Sequence, residues 1–351
     1  MPLLREQGDG MRSFVGIMLA LLAATYPIVL LDEPEAFLHP PQARLLGRKT
    51  GAGSPNTQIV MATHSTDTLV GLLSSGSTDV TVVRLTRRGD VNPVSVLPHD
   101  QLRQLWSDPL LASSNILDGL FHRGVVLSEG DTDARYYGAV LDHDRGDGAH
   151  ELFFTHCGGK ARMPMVIRAL HALDVPVVAI TDFDVLREEG RVRAIVEALG
   201  QDWSRFERDW TIINAAVEAI SAAPAIADAK EATSAAYDEA AALGPRLTRE
   251  ASEKIRAATK VEDGWSMLKR GGTSALPHGD PTAAAQRLLE GLREVGLFVV
   301  NVGEVEGWHP SVPQKSSAWL DPVLSKGLYK EPGRHHEFMA AVNTWFTGAN
   351  E

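Results

Sequence analysis

A pair of acidic residues follows each of three predicted β-strands in the second part of the chain. These carboxylates are the side chains in the sequence best suited to metal binding and catalysis. Within each pair the spacing is short enough for both carboxylates to face one edge of a sheet. The carboxyl ends of strands in a doubly wound sheet adjoin one crevice, so we expect the three pairs to converge there. The pairs are Glu129 and Asp133 in "SEGDTD", Asp182 and Asp184 in "TDFD", and Glu304 and Glu306 in "GEVEGW".

Clustered carboxylates of this kind predict bound cations. Negative charges so close together are unstable unless cations balance them, and hard oxygen ligands select Mg²⁺, Mn²⁺ or Ca²⁺. Two such ions suit in-line displacement at phosphorus, where one activates water and the other stabilises the leaving oxygen. For any single pair, and for Asp131 in particular, helix capping is an equally good explanation. Three pairs together favour the metal site.

A further acidic motif lies near the start of the chain, in "IVLLDEPEAFLHPPQ". At the end of its predicted strand, Asp32 would hold Mg²⁺ through water, and Glu33 would orient or deprotonate the attacking water of a nucleoside triphosphatase. His64, in "MATHS" after the next strand, could contact a γ-phosphate. Gly8 and Gly10 precede a predicted helix whose N-terminus suits anion binding. Taken singly, each motif is weak, since an acidic pair after a strand is often a solvated turn.

The elements that would position these residues alternate between strand and helix, which predicts an α/β fold. A first α/β segment is followed by a helical connector and then by a second α/β segment. An Ala- and charge-rich stretch interrupts the second segment. A flexible linker would explain its composition, but three tryptophans favour packed helices. The predicted domains are residues 1–100, a connector over 101–122, and 123–351 with a helical insertion at about 188–270.

The composition is that of an ordinary globular protein, with 44% hydrophobic and 23% charged residues. Cys157 is the single cysteine, which excludes a disulfide framework and a cysteine-based zinc site, and predicts a reducing cytoplasm. The net charge of −11 weakly disfavours a nucleic-acid partner, because neutralising phosphates takes lysine and arginine. Acids that hold divalent metals, however, no longer count as negative in the loaded protein.

One uncharged segment, residues 14–31, is nearly long enough to span a bilayer. Pro27 interrupts it, and the apolar residues that follow run directly into Asp-Glu-Pro-Glu. A buried helix over about 11–24 and a buried strand over about 28–31 fit this pattern better than a membrane span or a signal peptide. We therefore expect no association with a membrane.

The order and spacing of the first motifs resemble the ATP-binding-cassette ATPase class, in its recombination-and-repair branch. "QGDGMRS" is similar to the signature loop, "IVLLDEPEAFLHP" to the Walker B strand, and "ATHS" to the switch histidine. The sequence departs from the class in one respect, since no G-x-x-x-x-G-K-[ST] phosphate loop occurs. In that class the signature loop reaches ATP held by a second subunit. The resemblance therefore implies a half-site that binds ATP only with a missing segment or a partner.

The second group of motifs, "SEGDTD" and then "TDFD", resembles the TOPRIM domain of topoisomerases, primases and old-family nucleases. There the glutamate is a metal ligand or acid/base residue and the D-x-D binds metal, which implies these roles for Glu129, Asp182 and Asp184. An ATPase domain followed by TOPRIM is similar to the OLD (overcoming lysogenisation defect) family of ATP-dependent endonucleases. The resemblance covers nearly the whole chain, but the first part of the family's ATPase domain, which carries its phosphate loop, is missing from this sequence. It implies a DNA substrate and a role in phage defence.

The nuclease site of that family also uses a lysine near the carboxyl end, suited to stabilising charge on a phosphate. Lys315 in "PQKSSAW" and Lys326 in "LSKGLYK" are candidates, and Lys315 is favoured because it follows the acidic turn closely. A solvated surface lysine is an equally good explanation of either. Lys160 in "CGGKARM" could contact a DNA phosphate from a helix N-terminus, or lie exposed in a plain glycine turn.

These observations lead to one main hypothesis and two alternatives. The main hypothesis is a DNA endonuclease that uses two Mg²⁺ or Mn²⁺ ions and acts as a homodimer or with a partner that supplies the phosphate loop. The first alternative is a regulatory or assembly subunit that completes the ATPase site of a partner chain. An autonomous ATPase is disfavoured because the sequence lacks the phosphate loop.

Overall fold

The fold is that of a computed structural model, whose described residues form two compact units. One unit contains residues 1–178 and 346–351, the other residues 179–345, and the boundary falls inside a single strand. The structure confirms the predicted α/β fold class. The described residues are 6–23, 26–53, 57–76, 80–87, 90–97, 115–146, 151–220, 226–242, 244, 246–258, 263–312 and 317–348.

The N-terminal part alternates helices with short strands in two separate sheets. Strands β1 and β2 pair in parallel, so that Leu30 lies opposite Val60 and Asp32 lies opposite Ala62, while β3 and β4 form an antiparallel hairpin. The first helix and strand have the predicted bounds to within two residues at each end, but the prediction that both are buried is wrong, since Leu21 is the only buried one of their described residues. The elements are α1 (Asp9–Leu22), β1 (Ile28–Asp32), α2 (Pro40–Ala52), β2 (Gln58–Ala62), α3 (Thr66–Leu73), β3 (Val82–Leu85) and β4 (Val94–Leu97).

One face of the β1–β2 sheet is apolar but exposed. Ile28 is 56% exposed, Leu30 75% and Val60 52%. Both strands are rich in aliphatic residues, a composition typical of parallel strands that are buried on both faces. Among the described residues, however, the sheet has only two strands, and this face is left uncovered. We call Ile28, Leu30 and Val60 the exposed β1–β2 face.

The larger sheet has four strands in the order β6-β5-β7-β8. β5 pairs in parallel with β6, and β7 pairs in parallel with β8. Every residue of β5, β7 and β8 is buried, which explains their continuous aliphatic sequences. The elements are β5 (Gly124–Ser128), α4 (Asp131–Arg145), β6 (Leu152–His156), α5 (Met163–Ala172), β7 (Val177–Thr181) and β8 (Leu297–Val299).

Helices occupy most of the chain between β7 and β8, in the segment for which the sequence predicts an insertion. A 3₁₀ helix follows β7 directly, and two further helices close the chain after β8. Trp203 and Trp265 are buried, in agreement with packing rather than a flexible linker. The helices are α6 (Glu189–Ala198), α7 (Ser204–Ile220), α8 (Ile226–Ala242), α9 (Arg249–Ala258), α10 (Gly264–Gly271), α11 (Asp280–Glu294), α12 (Leu320–Ser325) and α13 (Arg334–Gly348).

The structure bears on two further predictions, the helical connector and the uncharged segment near the start of the chain. Most of the connector predicted over 101–122 lies outside the described residues, and its end, Ile116–Phe121, is a 3₁₀ helix. Within the described part of the chain, no helix has the length and apolarity that crossing a bilayer requires.

Arg84 links the β3–β4 hairpin to the loops that precede β5 and β7. Its Nε donates to the carbonyl of Leu120 at 3.0 Å, and Nη2 to that of His122 at 3.2 Å. Nη1 donates to the carbonyls of Leu173 at 3.2 Å and Asp174 at 2.6 Å. One planar guanidinium thus satisfies four loop carbonyls, which no other side chain has the donors to do.

We expect Arg84→Ala to lower the free energy of unfolding by at least about 2 kcal/mol, because the carbonyls that accept hydrogen bonds from the guanidinium would lose their charged donor. Arg84→Lys should recover only part of the loss, since an ammonium cannot reproduce the fork. Urea denaturation followed by circular dichroism measures both. Arg249→Ala, in an exposed pair with Glu253, is the control and should change stability by less than about 1 kcal/mol. Equal effects of the two alanine variants would contradict the role of Arg84.

Candidate metal centre and ATPase half-site

Glu129 follows β5 and is held in the turn that leads into α4. Its carbonyl accepts a hydrogen bond from the backbone of Gly159 at 3.0 Å. Its carboxylate lies 3.5 Å from Nζ of Lys160, and these two side chains are only 15% and 11% exposed. The glycine turn before α5 therefore places Lys160 as a counter-charge beside Glu129, rather than leaving it as an exposed lysine.

Asp182 and Asp184 follow β7, one before and one within the 3₁₀ helix Phe183–Arg187. The backbone of Phe183 donates to the carbonyl of Gly303 at 2.7 Å, which fixes the start of this helix against the segment after β8. A carboxylate oxygen of Asp184 lies 3.8 Å from Nζ of Lys269. Both aspartates thus leave a buried strand and enter a turn that is held by backbone hydrogen bonding.

One oxygen from each of Glu129, Asp182 and Asp184 lies within 4.8 Å of the other two, and all three residues are partly buried. We call these residues the acidic triad. Converging carboxylates at partial burial repel one another unless a cation joins them. Three oxygen donors of this charge are the ligand set of a hard divalent cation. The residues present therefore fit a metal centre.

Glu304 lies on the segment after β8, and its carboxylate is 3.5 Å from the same Lys269 ammonium. Burial raises the pKa of Glu304, and the nearby charge of Glu306 raises it further, whereas Lys269 opposes the shift. For Lys269, burial lowers the pKa, but Asp184, Asp182 and Glu304 outweigh burial and hold it above its ordinary value. Lys269 therefore remains a cation between two acidic segments.

Asp133, a predicted metal ligand, and Asp131, for which helix capping was the alternative, both make local contacts in the structure. Asp133, the third residue of α4, accepts a hydrogen bond from the backbone of Gly130 at 3.0 Å and so caps the start of the helix. Asp131 is exposed and lies 3.7 Å from Arg135, one turn along the helix. Among the described residues, neither is part of the acidic triad. Helix capping, the alternative explanation for an acidic pair, therefore describes the hydrogen bond between Gly130 and Asp133.

The two candidate lysines near the carboxyl end have different outcomes. Lys315 lies outside the described residues. Lys326 is exposed and caps the end of α12. The structure instead brings Lys269 to the acidic residues. Sequence reasoning missed Lys269, although the glycine pair of "LKRGG" marks a close approach of two backbone segments.

Two of the residues predicted for the ATPase half-site, Asp32 and Glu33, line a cavity of about 460 Å³ together with the first turns of α1. Gly8 precedes the first turn of α1, and Gly10 lies within that turn. A Cβ on Gly10 would lie 2.4 Å from the carbonyl oxygen of Phe37, so glycine permits α1 to approach the loop after β1. The lining residues are Asp9, Arg12, Ser13, Ile17, Leu30, Leu31, Asp32, Glu33, Pro34, Ala36 and Phe37.

His64 lies beside the acidic residues after β1. Its Nδ1 is 3.4 Å from a carboxylate oxygen of Glu33 and 3.8 Å from one of Glu35. Glu33 has a φ of 41°, an uncommon conformation for a residue other than glycine. Glu35, which the sequence reasoning did not single out, is buried and accepts a hydrogen bond from Thr63 at 2.6 Å. The structure therefore joins the two predicted strand-end motifs into one site.

Comparison with known protein families gives two matches, one for each group of motifs. Residues 3–71 match AAA_21, an AAA-domain family whose description also cites the AbiEii toxin of type IV toxin–antitoxin systems. Residues 120–184 match the TOPRIM domain of overcoming lysogenization defect protein-like proteins. Comparison with curated proteins gives no match.

The two matched segments contain several of the residues just described. The first match contains Asp32, Glu33 and His64, and the second contains all three residues of the acidic triad. Together they support a nuclease or ATPase of the OLD kind. The chain carries an AAA_21 ATPase-like domain followed by an OLD-like TOPRIM domain, which is the domain architecture of the OLD family.

Proposed function

We propose that this chain is a divalent-metal-dependent DNA endonuclease of the OLD type. The observation that carries the proposal is the convergence of Glu129, Asp182 and Asp184 within 4.8 Å, inside the segment that matches the TOPRIM family. The reaction is hydrolysis of a phosphodiester bond, in which water forms a new bond to phosphorus and a sugar oxygen leaves. Mg²⁺ or Mn²⁺, two per site, is the proposed cofactor, and a role in phage defence is the proposed context.

In this proposal the side chains divide into metal ligands and groups that contact the DNA backbone. Glu129, Asp182 and Asp184 would hold one cation, which when bound would supply the positive charge that activates water and stabilises the phosphate oxygens. Lys160, whose ammonium lies 3.5 Å from Glu129, balances that carboxylate and is also the proposed contact to a DNA phosphate. Lys315 remains the proposed carboxyl-terminal lysine that supports the transition state. Asp133, Glu304 and Glu306 are the proposed further ligands of the second cation.

The negative charge of the chain does not conflict with a DNA substrate. Loading two divalent cations changes the charge at the acidic residues by +4, and lysine ammoniums already stand beside two of them. Binding to DNA then depends on cations as well as on lysine and arginine. We therefore expect DNA affinity to fall when divalent cations are chelated, beyond the ordinary effect of ionic strength.

A metal-ligand variant tests the proposed activity. Asp182→Asn and Glu129→Gln should each lower plasmid nicking in Mg²⁺ or Mn²⁺ at least about hundredfold, since loss of a ligand costs more than the 10- to 100-fold typical of outer-shell partners. Asp131→Asn, which alters the same turn outside the triad, is the control and should cleave like the wild type. The rate of supercoiled plasmid loss on agarose gels measures the effect. Cleavage that survives both ligand changes would contradict the proposal.

A second candidate function is a subunit that completes an ATPase site together with another chain. Two observations favour it: Asp32 and Glu33 line one cavity with the start of α1, and the exposed β1–β2 face is apolar. Apolar surface of this kind usually marks an interaction site. Under this proposal the half-site of Gly8, Gly10, Asp32, Glu33 and His64 acts on ATP held by another segment or a partner.

If the exposed β1–β2 face is an interaction site, the purified chain should self-associate, and Leu30→Asp should shift it towards monomer. Tyr237→Asp, at an exposed apolar residue of α8, is the control and should leave association unchanged. Sedimentation velocity over a range of concentrations measures both. The isolated chain should also fail to bind ATP in equilibrium dialysis. ATP binding by monomeric chain would instead support an autonomous ATPase.

A further inference from the structure

Lys269 lies in the last turn of α10, and its ammonium stands between two carboxylates that belong to different segments. Nζ is 3.8 Å from Oδ2 of Asp184, after β7, and 3.5 Å from Oε2 of Glu304, after β8. The lysine side chain is 41% exposed, whereas those of Asp184 and Glu304 are 26% and 19% exposed. The ammonium therefore balances two enclosed charges while keeping an open path to solvent.

Glycines fix the backbone of Lys269 against the segment that carries Glu304. A Cβ on Gly303 would lie 2.0 Å from the carbonyl oxygen of Lys269, so only glycine permits this approach. Gly272, at a φ of 57°, approaches the carbonyl of Asn301 in the same way. The distance from Lys269 to the acidic segment thus depends on two backbone contacts and not on a flexible surface loop.

The other end of α10 is fastened to the segment that carries Asp184. Asp263 caps the helix by accepting a hydrogen bond from the backbone of Ser266 at 2.7 Å. Its other carboxylate oxygen lies 2.7 Å from Nη2 of Arg187, the last residue of the 3₁₀ helix after β7. Both ends of α10 therefore contact the acidic segments, which orients Lys269 towards Asp184 and Glu304.

We propose that Lys269 is the built-in counter-ion of the Asp184–Glu304 pair and competes with a divalent cation for these two carboxylates. Without divalent cations, the ammonium offsets the repulsion between the two acids. When a divalent cation takes those oxygens, the ammonium is released from them but remains tied to its position by the backbone of α10. This last step rests on the proposed nuclease function: the released ammonium then contacts a phosphate oxygen of the substrate.

Competition of this kind gives a specific result when the ammonium is removed. In Lys269→Met, Mn²⁺ no longer displaces a cation, so its dissociation constant should fall roughly five- to hundredfold, the range of ordinary coupling between ligands. Lys269→Arg keeps a cation and should stay within a few-fold of the wild type. Isothermal titration with Mn²⁺ measures the constants, and the rise of the melting temperature with Mn²⁺ concentration is an independent readout.

Lys326→Met is the matched control, because it removes an exposed lysine from the same unit and should leave Mn²⁺ affinity unchanged. If Lys269→Met does not fold without metal, Lys269→Gln takes its place, since it keeps a polar side chain beside both acids. Unchanged or weaker Mn²⁺ binding by the neutral variant, with a normal control, would overturn the competition.

Plasmid cleavage distinguishes this inference from the proposed nuclease function. The inference expects Lys269→Met to bind Mn²⁺ more tightly and yet to cleave at least about tenfold more slowly at saturating Mn²⁺, because a contact to the phosphate is lost. Tight Mn²⁺ binding with full cleavage would overturn the substrate contact. A wild type that shows the competition but never cleaves DNA would contradict the nuclease function alone.

Discussion

Repulsion between carboxylates is the constraint on which the second half of this structure depends. One oxygen from each residue of the acidic triad lies within 4.8 Å of the other two. Glu304 is a further carboxylate, and burial raises its pKa. Such a cluster is unstable by itself. Lysine ammonium groups offset part of its negative charge even without a bound metal ion. Lys160 stands beside Glu129 and Lys269 stands beside Asp184. The fold itself therefore provides this charge balance, because the turn before α5 positions Lys160 and the last turn of α10 positions Lys269.

The N-terminal part is marked by a different feature, an apolar sheet face that the described residues leave exposed. Its strands carry the aliphatic sequence of a sheet covered on both faces, but Leu30 is 75% exposed. The same two strands bring Asp32 and Glu33 to a cavity shared with α1, and His64 to within 3.4 Å of Glu33. Chemistry and exposed apolar surface thus occur on the same pair of strands. A surface of this kind agrees with a half-site that acts together with another segment or chain.

The sequence predicted the fold class and the convergence of Glu129, Asp182 and Asp184, because both depend on local patterns. Aliphatic stretches that end in acidic residues identify buried parallel strands and their functional ends, and β5 and β7 with Glu129 and Asp182 have that form. Contacts between distant segments were less predictable. Lys269 and Asp184 are far apart in the chain, and only the close approach at Gly303 and Gly272 brings the lysine to the acids. A capping carboxylate and a metal ligand look alike in sequence, so the hydrogen bond from Gly130 to Asp133 could be identified only in the structure.

The central claim is that the acidic triad holds a divalent cation. The most direct measurement is the anomalous scattering of Mn²⁺ in crystals of the wild-type chain, recorded on both sides of the manganese absorption edge. The account predicts a peak within about 2.5 Å of one oxygen each of Glu129, Asp182 and Asp184, the range of oxygen ligands to such ions. A well-ordered acidic triad with no peak at saturating Mn²⁺, or with manganese bound only elsewhere, would contradict it.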